Sequence, residues 1–219
     1  AMDTCASMYF PEEGTTKLQY ASGAAACLFY LFKKQLDAGA LALFNEDLYQ
    51  LTNARSGSRH YRMLINELEK LIQQPNTNKK TNATEALHQI AERLHQRSLV
   101  IIFSDMPDSP EKSEELLSAL QHLRYNKHEV ILFHVIDGKQ EMDFDYENRP
   151  YEFVDMESGE TLKINPSDVK EAYLSRMKAY KTNLENHCLQ YRIDLVTCDM
   201  REPVEQVLNR YLLKRNKMM

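Results

Sequence analysis

The chain is poor in the residues that build linkers. Six glycines and seven prolines in 219 residues are roughly half the usual combined share, which excludes long flexible connections between domains. The four cysteines (Cys5, Cys27, Cys188 and Cys198) are scattered and form no CxxC pair, so they read as reduced thiols of a cytoplasmic protein, not as a disulfide framework. No apolar run approaches the roughly 18 residues of a membrane span; the longest, around Ala24–Phe32, is about half that. No secretory signal is visible, and Ala1-Met2 reads as a fragment boundary. Gly14 and Gly23 do not form a phosphate-binding loop, so nucleotide hydrolysis by this chain is not expected. His88 and His95 share a helix face but stand two turns apart, too far for one metal. A formal net charge of -5 and a pI near 5.8 argue against a nucleic-acid or anionic-membrane partner. The short basic runs Lys33-Lys34, Lys79-Lys80 and Lys214–Lys217 then read as solvated helix ends.

What is present alternates strand and helix. Leu18, Ala21, Ala25, Leu28, Phe29 and Phe32 recur at helical spacing over Thr16–Gln35. Ala40–Phe44 reads as a buried strand, with Leu48–Thr52 pairing beside it through a tight turn. Helices follow at Ser58–Gln74 and from Asn82 or Thr84 to Gln96. Leu99–Phe103 is apolar on both faces, as a central parallel strand should be. A helix over Lys112–Tyr125 and a strand over Glu129–Ile136 continue the alternation. Met142–Ile164 breaks the rhythm and reads as an antiparallel excursion. A long helix with Pro166 in its first turn, a strand at Ile193–Cys198 and a helix at Glu202–Lys214 close the chain. The expectation is a single α/β domain with a doubly wound, mostly parallel sheet flanked by helices. Ligands of such sheets sit at the C-terminal strand ends.

Three loops bring oxygen-bearing side chains to that edge: Asp3 to Ser7, the loop of Thr81 and Thr84, and Asp105 after the strongest strand. Hard oxygen donors suit Mg²⁺ or Mn²⁺ that keeps several waters, one of which a partner carboxylate can replace. Asp3, Ser7 and Thr81 are also readable as helix caps, Thr84 as an N-cap or first-turn residue and Asp108 as a loop or capping residue.

On these residues the chain resembles a von Willebrand factor A-type domain. Asp3-x-Cys5-x-Ser7 stands against that fold's DxSxS, Thr81 lies in the middle loop, and Ser104-Asp105 follows an apolar strand. Together they look like a metal-ion-dependent adhesion site. The bacterial domain of unknown function 58 family is closer still. Lys17-Leu-Gln-Tyr-Ala21, Leu41–Phe44, Ile102–Asp105, His128–Val135, Glu157–Glu160 and Asp194-Leu-Val are similar to it. The resemblance implies metal ligation by Asp3, Cys5, Ser7, Thr81 and Asp105. It also implies a non-enzymatic binding adaptor for a MoxR-type AAA ATPase, or for a client presenting an acidic side chain.

Two departures matter. Cys5 replaces the first motif serine, and a thiol is a weak ligand for Mg²⁺. In the family the first strand precedes the motif, whereas here two residues precede Asp3; if that strand is absent, the sheet has a gap beside Leu99–Phe103 and Asp3 sits on a fraying end, and either a preceding segment or a strand from another copy could fill the gap. Met8, Tyr9, Phe10 and Pro11 form an apolar cluster after the motif. Tyr9 and Phe10 read either as a partner-binding rim or as residues covered by the 142–164 excursion. The alternative function is a metal-dependent hydrolase or phosphoryl-transfer enzyme using Asp105 and Cys5, for which no base is evident beyond Asp108.

Overall fold

A computed structural model describes residues 1–11, 13–73, 83–106, 110–156 and 159–216. Six strands form the main sheet: β1 (Met2–Asp3), β2 (Ala42–Phe44), β3 (Leu48–Leu51), β4 (Leu99–Ser104), β5 (Glu129–Ile136) and β8 (Asp194–Asp199). Their order is β3-β2-β1-β4-β5-β8, and every neighbouring pair is parallel except β2 with β3. Helices cover both faces: α1 (Lys17–Lys34), α2 (Ser58–Gln73), α3 (Ala83–Arg93), α4 (Pro110–Tyr125), α5 (Pro166–Gln190) and α6 (Val204–Asn216). The expected doubly wound sheet is therefore present.

Strand alternation divides the core into two layers. Phe103, Ile131 and Phe133 point toward Leu18, Leu28, Leu64 and Tyr211, beneath α1, α2 and α6. Val100, Ile102, Val130 and Leu132 point the other way, toward Leu87, Leu120 and Leu184 of α3, α4 and α5. A strand between two helical layers must be apolar at consecutive positions, which is why β4 and β5 read as continuous apolar runs.

The helix starts follow local chemistry. Thr16 caps α1 in a reciprocal capping box with Gln19, and Pro166 sits in the first turn of α5. The antiparallel excursion is the hairpin β6 (Tyr151–Val154) and β7 (Thr161–Ile164). Its aromatic side clusters Tyr151 and Phe153 with Phe144 and Tyr146; Phe144 stacks on Phe153 and packs at a tilt against Tyr173 of α5.

One expectation needs correction. The first strand does not lie wholly upstream of Asp3. Met2 and Asp3 form its last two residues and pair with β2 on one side and β4 on the other. Asp3 is therefore buried in the sheet centre instead of lying on a loose end.

Candidate metal centre at the sheet edge

β1 ends at Asp3 and β4 ends at Ser104, side by side, so their side chains meet where the strands stop. Asp3 accepts the Cys5 N–H at Oδ1 (3.0 Å) and the Ser104 hydroxyl at Oδ2 (2.8 Å). The Ser104 oxygen in turn accepts the Met106 N–H at 3.0 Å, and Met106 has a φ of 62°, so the chain turns sharply just past Asp105. After Asp3 the chain makes a short 3-10 turn over Ala6–Tyr9. That turn brings the Cys5 thiol within 3.0 Å of the Ser7 hydroxyl and 3.9 Å of Asp105 Oδ1.

Ligand atoms of Asp3, Cys5 and Asp105 all lie within 4.8 Å of one another. One ion with oxygen ligands at ~2.1–2.4 Å spans that distance after small side-chain movements. Ser7 joins them through Cys5. The structure thus brings together Asp3, Cys5, Ser7 and Asp105. Thr81, and with it the middle loop, lies outside the described residues, as does Asp108. Tyr9 and Phe10 are half-buried, and the Phe10 ring stands 5.8 Å from the Lys17 ammonium.

Lys17 is the feature missing from the sequence-based ligand set. It opens α1, is 2% exposed, and donates to Asp105 Oδ2 at 2.8 Å and to Glu141 Oε1 at 2.5 Å. Glu141 comes from a single π-helical turn, Gly138–Met142, that follows β5. Its other oxygen accepts the Asp137 N–H at 2.7 Å, and its carbonyl accepts the Tyr173 hydroxyl at 3.0 Å. A Cβ at Gly138 would meet the side-chain ends of Arg201 and Asp199, which pair beneath it, so that pair would have to shift. A signal for Lys17 did exist. It occupies the inward stripe one turn before Ala21, and a cation in a first turn opposes the helix dipole, so it calls for a buried carboxylate partner.

The electrostatics follow from burial. Burial and the nearby Asp105 charge raise the Asp3 pKa to about 7. Burial, then Asp3 and Asp105, push the Cys5 thiol well above its ordinary value, so it stays protonated. Burial opposes the charge on Lys17, but Asp105 and Glu141 outweigh it and hold the ammonium charged. His134 is buried on β5 and its pKa falls to about 4 through desolvation. Its Nε2 lies 3.1 Å from the Asp105 carbonyl; a carbonyl only accepts, so the neutral ring donates there and fixes the Asp105 backbone. His88 meets His122 across α3 and α4, Nδ1 to Nδ1 at 2.9 Å, a pairing that the His88–His95 spacing did not suggest.

Among the described residues, no helix is long and apolar enough to cross a membrane. Residues 1–183 match the family described as "Protein of unknown function DUF58", which leaves β8 and α6 outside the match. Among curated proteins none matches. Of solved structures, an aerotolerance-related membrane protein from Bacteroides fragilis NCTC 9343 shares the fold. That likeness has a TM-score of 0.58 and 12% identity, covering 99% of this chain and 96% of that one. An uncharacterized membrane spanning protein from Vibrio fischeri is 14% identical over 99% of this chain and 95% of its own, with a TM-score of 0.31.

Proposed function

The chain belongs to the DUF58 family, and on that premise we propose that it is a non-enzymatic, cation-dependent protein-binding adaptor. Asp3, Ser7 and Asp105 hold Mg²⁺ or Mn²⁺ in the manner of a von Willebrand factor A metal-ion-dependent adhesion site. Cys5 contributes weakly and Thr81 completes the set from the middle loop. The ion then takes a partner's acidic side chain as a further ligand. The partner class is a cytoplasmic MoxR-type AAA ATPase or the client that such an ATPase helps to mature.

The observation that carries this reading is the convergence of Asp3, Cys5 and Asp105 within 4.8 Å at the C-terminal edge of a parallel sheet. The donor chemistry fits the ion. Two carboxylates and a hydroxyl are hard ligands, and the one soft donor is a protonated thiol, which weakens the site without blocking it. Lys17 neutralises part of the negative charge, leaving a carboxylate excess that a divalent ion would balance.

The same geometry weighs against turnover. A nucleophilic cysteine needs a depressed pKa and an adjacent base. Here the pKa of the thiol is raised, and the His134 imidazole, beside Asp105, is committed to the Asp105 carbonyl.

Calorimetric titration with Mn²⁺ tests the cation. One ion should bind per chain, and Asp105→Asn and Ser7→Ala should each abolish or weaken binding at least about tenfold. Capture of a purified MoxR-type ATPase in Mg²⁺ but not in EDTA tests the partner. Absence of Mn²⁺ binding in the parent chain sinks the cation; Mn²⁺ binding without capture sinks the partner assignment alone.

A further inference from the structure

His88 of α3 and His122 of α4 meet ring to ring on neighbouring helices. Their Nδ1 atoms are 2.9 Å apart, and their ring centroids are 5.1 Å apart at an interplanar angle of 44°. Both residues are half-buried. The backbone that carries them is locked in place. Leu87 and Ala91 of α3 and Ala119 and Leu123 of α4 are all buried in one core layer. One turn further on, the Asn126 side-chain amide donates to the Ala91 carbonyl at 3.2 Å. The two contacts span 34 and 35 positions of sequence, so α3 and α4 run alongside each other in the same direction. Packing therefore brings the two imidazoles together before any ligand arrives.

A spacing of 2.9 Å suits a hydrogen bond, with one ring carrying Nδ1–H and the other presenting its lone pair. It is equally the span of two adjacent ligands on one ion. At metal–nitrogen distances of ~2.0–2.1 Å, a right angle places two nitrogens ~2.9 Å apart. A tetrahedral ion needs ~3.3 Å, so the pair suits an ion with a square ligand plane. Moving one proton from Nδ1 to Nε2 within its own ring frees both lone pairs and leaves the charge of that ring unchanged. Among the described residues no carboxylate, thiol or further imidazole joins the pair as a third close ligand. Water completes the shell.

We propose that His88 and His122 form a two-imidazole binding site for Cu²⁺, sharing no residue with the oxygen-rich centre at Asp3 and Asp105. Imidazole suits Cu²⁺, which heads the affinity order of the divalent ions and takes nitrogen and oxygen ligands in a square plane. Mg²⁺ and Mn²⁺ prefer carboxylate, carbonyl and water, so the two sites sort ions by donor chemistry. The bound ion ties α3 to α4 on one face of the sheet. His95, two turns along α3 from His88, takes no part.

Electron paramagnetic resonance with one equivalent of Cu²⁺ tests the site, in a Cys27→Ser background that removes the exposed thiol. The spectrum should show two imidazole nitrogens. Cu²⁺ at a hundred times its dissociation constant should raise the thermal midpoint by ~5–10 °C. His88→Gln and His122→Gln should each lose one nitrogen from the spectrum and weaken binding at least about tenfold, while His95→Gln matches the parent. Glutamine can still hydrogen-bond the remaining ring, and the midpoint without metal checks that each variant folds. A two-nitrogen spectrum that persists in either variant overturns the proposal. So does a parent chain that holds Cu²⁺ through fewer than two nitrogens, a result that needs no variant to fold.

Discussion

Lys17 and Asp105 are joined across 88 positions of sequence by a 2.8 Å ion pair whose side chains are 2% and 9% exposed. Asp105 thereby presents one oxygen to an internal ammonium and the other to Cys5. The candidate cation site is a shared one: an organic cation already holds half of the carboxylate that a metal would use. Several measurable consequences rest on that arrangement.

Lys17→Met should leave Asp105 and Glu141 buried without their counter-ion. Breaking a buried pair by removing one partner costs about 3–5 kcal/mol. Urea denaturation at neutral pH should show that loss, and Mn²⁺ should recover part of it by taking the vacated position. A variant as stable as its parent would mean that water already screens the cluster.

Stability should carry a pH signature from Asp3. Its pKa of about 7 lies above the 3.8 of the free side chain, so the folded state holds the proton more tightly. The stabilisation is fully present below pH 3.8 and is lost as pH rises through about 7. His134 acts in the opposite sense: its pKa drops from 6.5 to about 4, so its contribution is present above 6.5 and lost as pH falls through 4. Comparing urea midpoints of Asp3→Asn and the parent between pH 4 and 8 isolates the first effect, because the variant lacks the decline toward neutral pH. Parallel profiles would place the Asp3 pKa at its ordinary value.

Cys5→Ser should strengthen Mg²⁺ binding by roughly tenfold or more, since a hydroxyl is a hard donor where a thiol is soft. The Ser7 contact at 3.0 Å suits either residue, so the fold should tolerate the change. Calorimetry with Mg²⁺ measures it, and an unchanged affinity would remove position 5 from the ligand set.

Thiol labelling should find one fast cysteine. Cys27 is exposed, whereas Cys5, Cys188 and Cys198 are buried. Burial lifts Cys188 and Cys198 to about 12. Reaction with a disulfide reagent at pH 7.5 should therefore modify Cys27 first, and Cys27→Ser should abolish the fast phase. A fast phase that survives in Cys27→Ser would mean that a core cysteine opens readily.

Most element positions were legible because their signals are local. Leu99–Phe103 and Glu129–Ile136 are apolar at consecutive positions, and only a strand covered on both faces uses that pattern. α1 begins where Thr16 and Gln19 close a capping box, a relation three residues long. The excursion was legible as antiparallel, but strand pairing begins only at Tyr151. Phe144 and Tyr146 precede it and join the hairpin through their rings.

The sequence by itself determined the alternation of strands and helices and the two apolar faces of the central strands. Period, capping and side-chain chemistry are properties of neighbouring residues. Tertiary structure alone decided that Lys17 and Glu141, 124 positions apart, close over Asp105, and that Met2 and Asp3 serve as a strand. Those depend on which strand ends stand side by side. Such relations exist only once distant segments have packed.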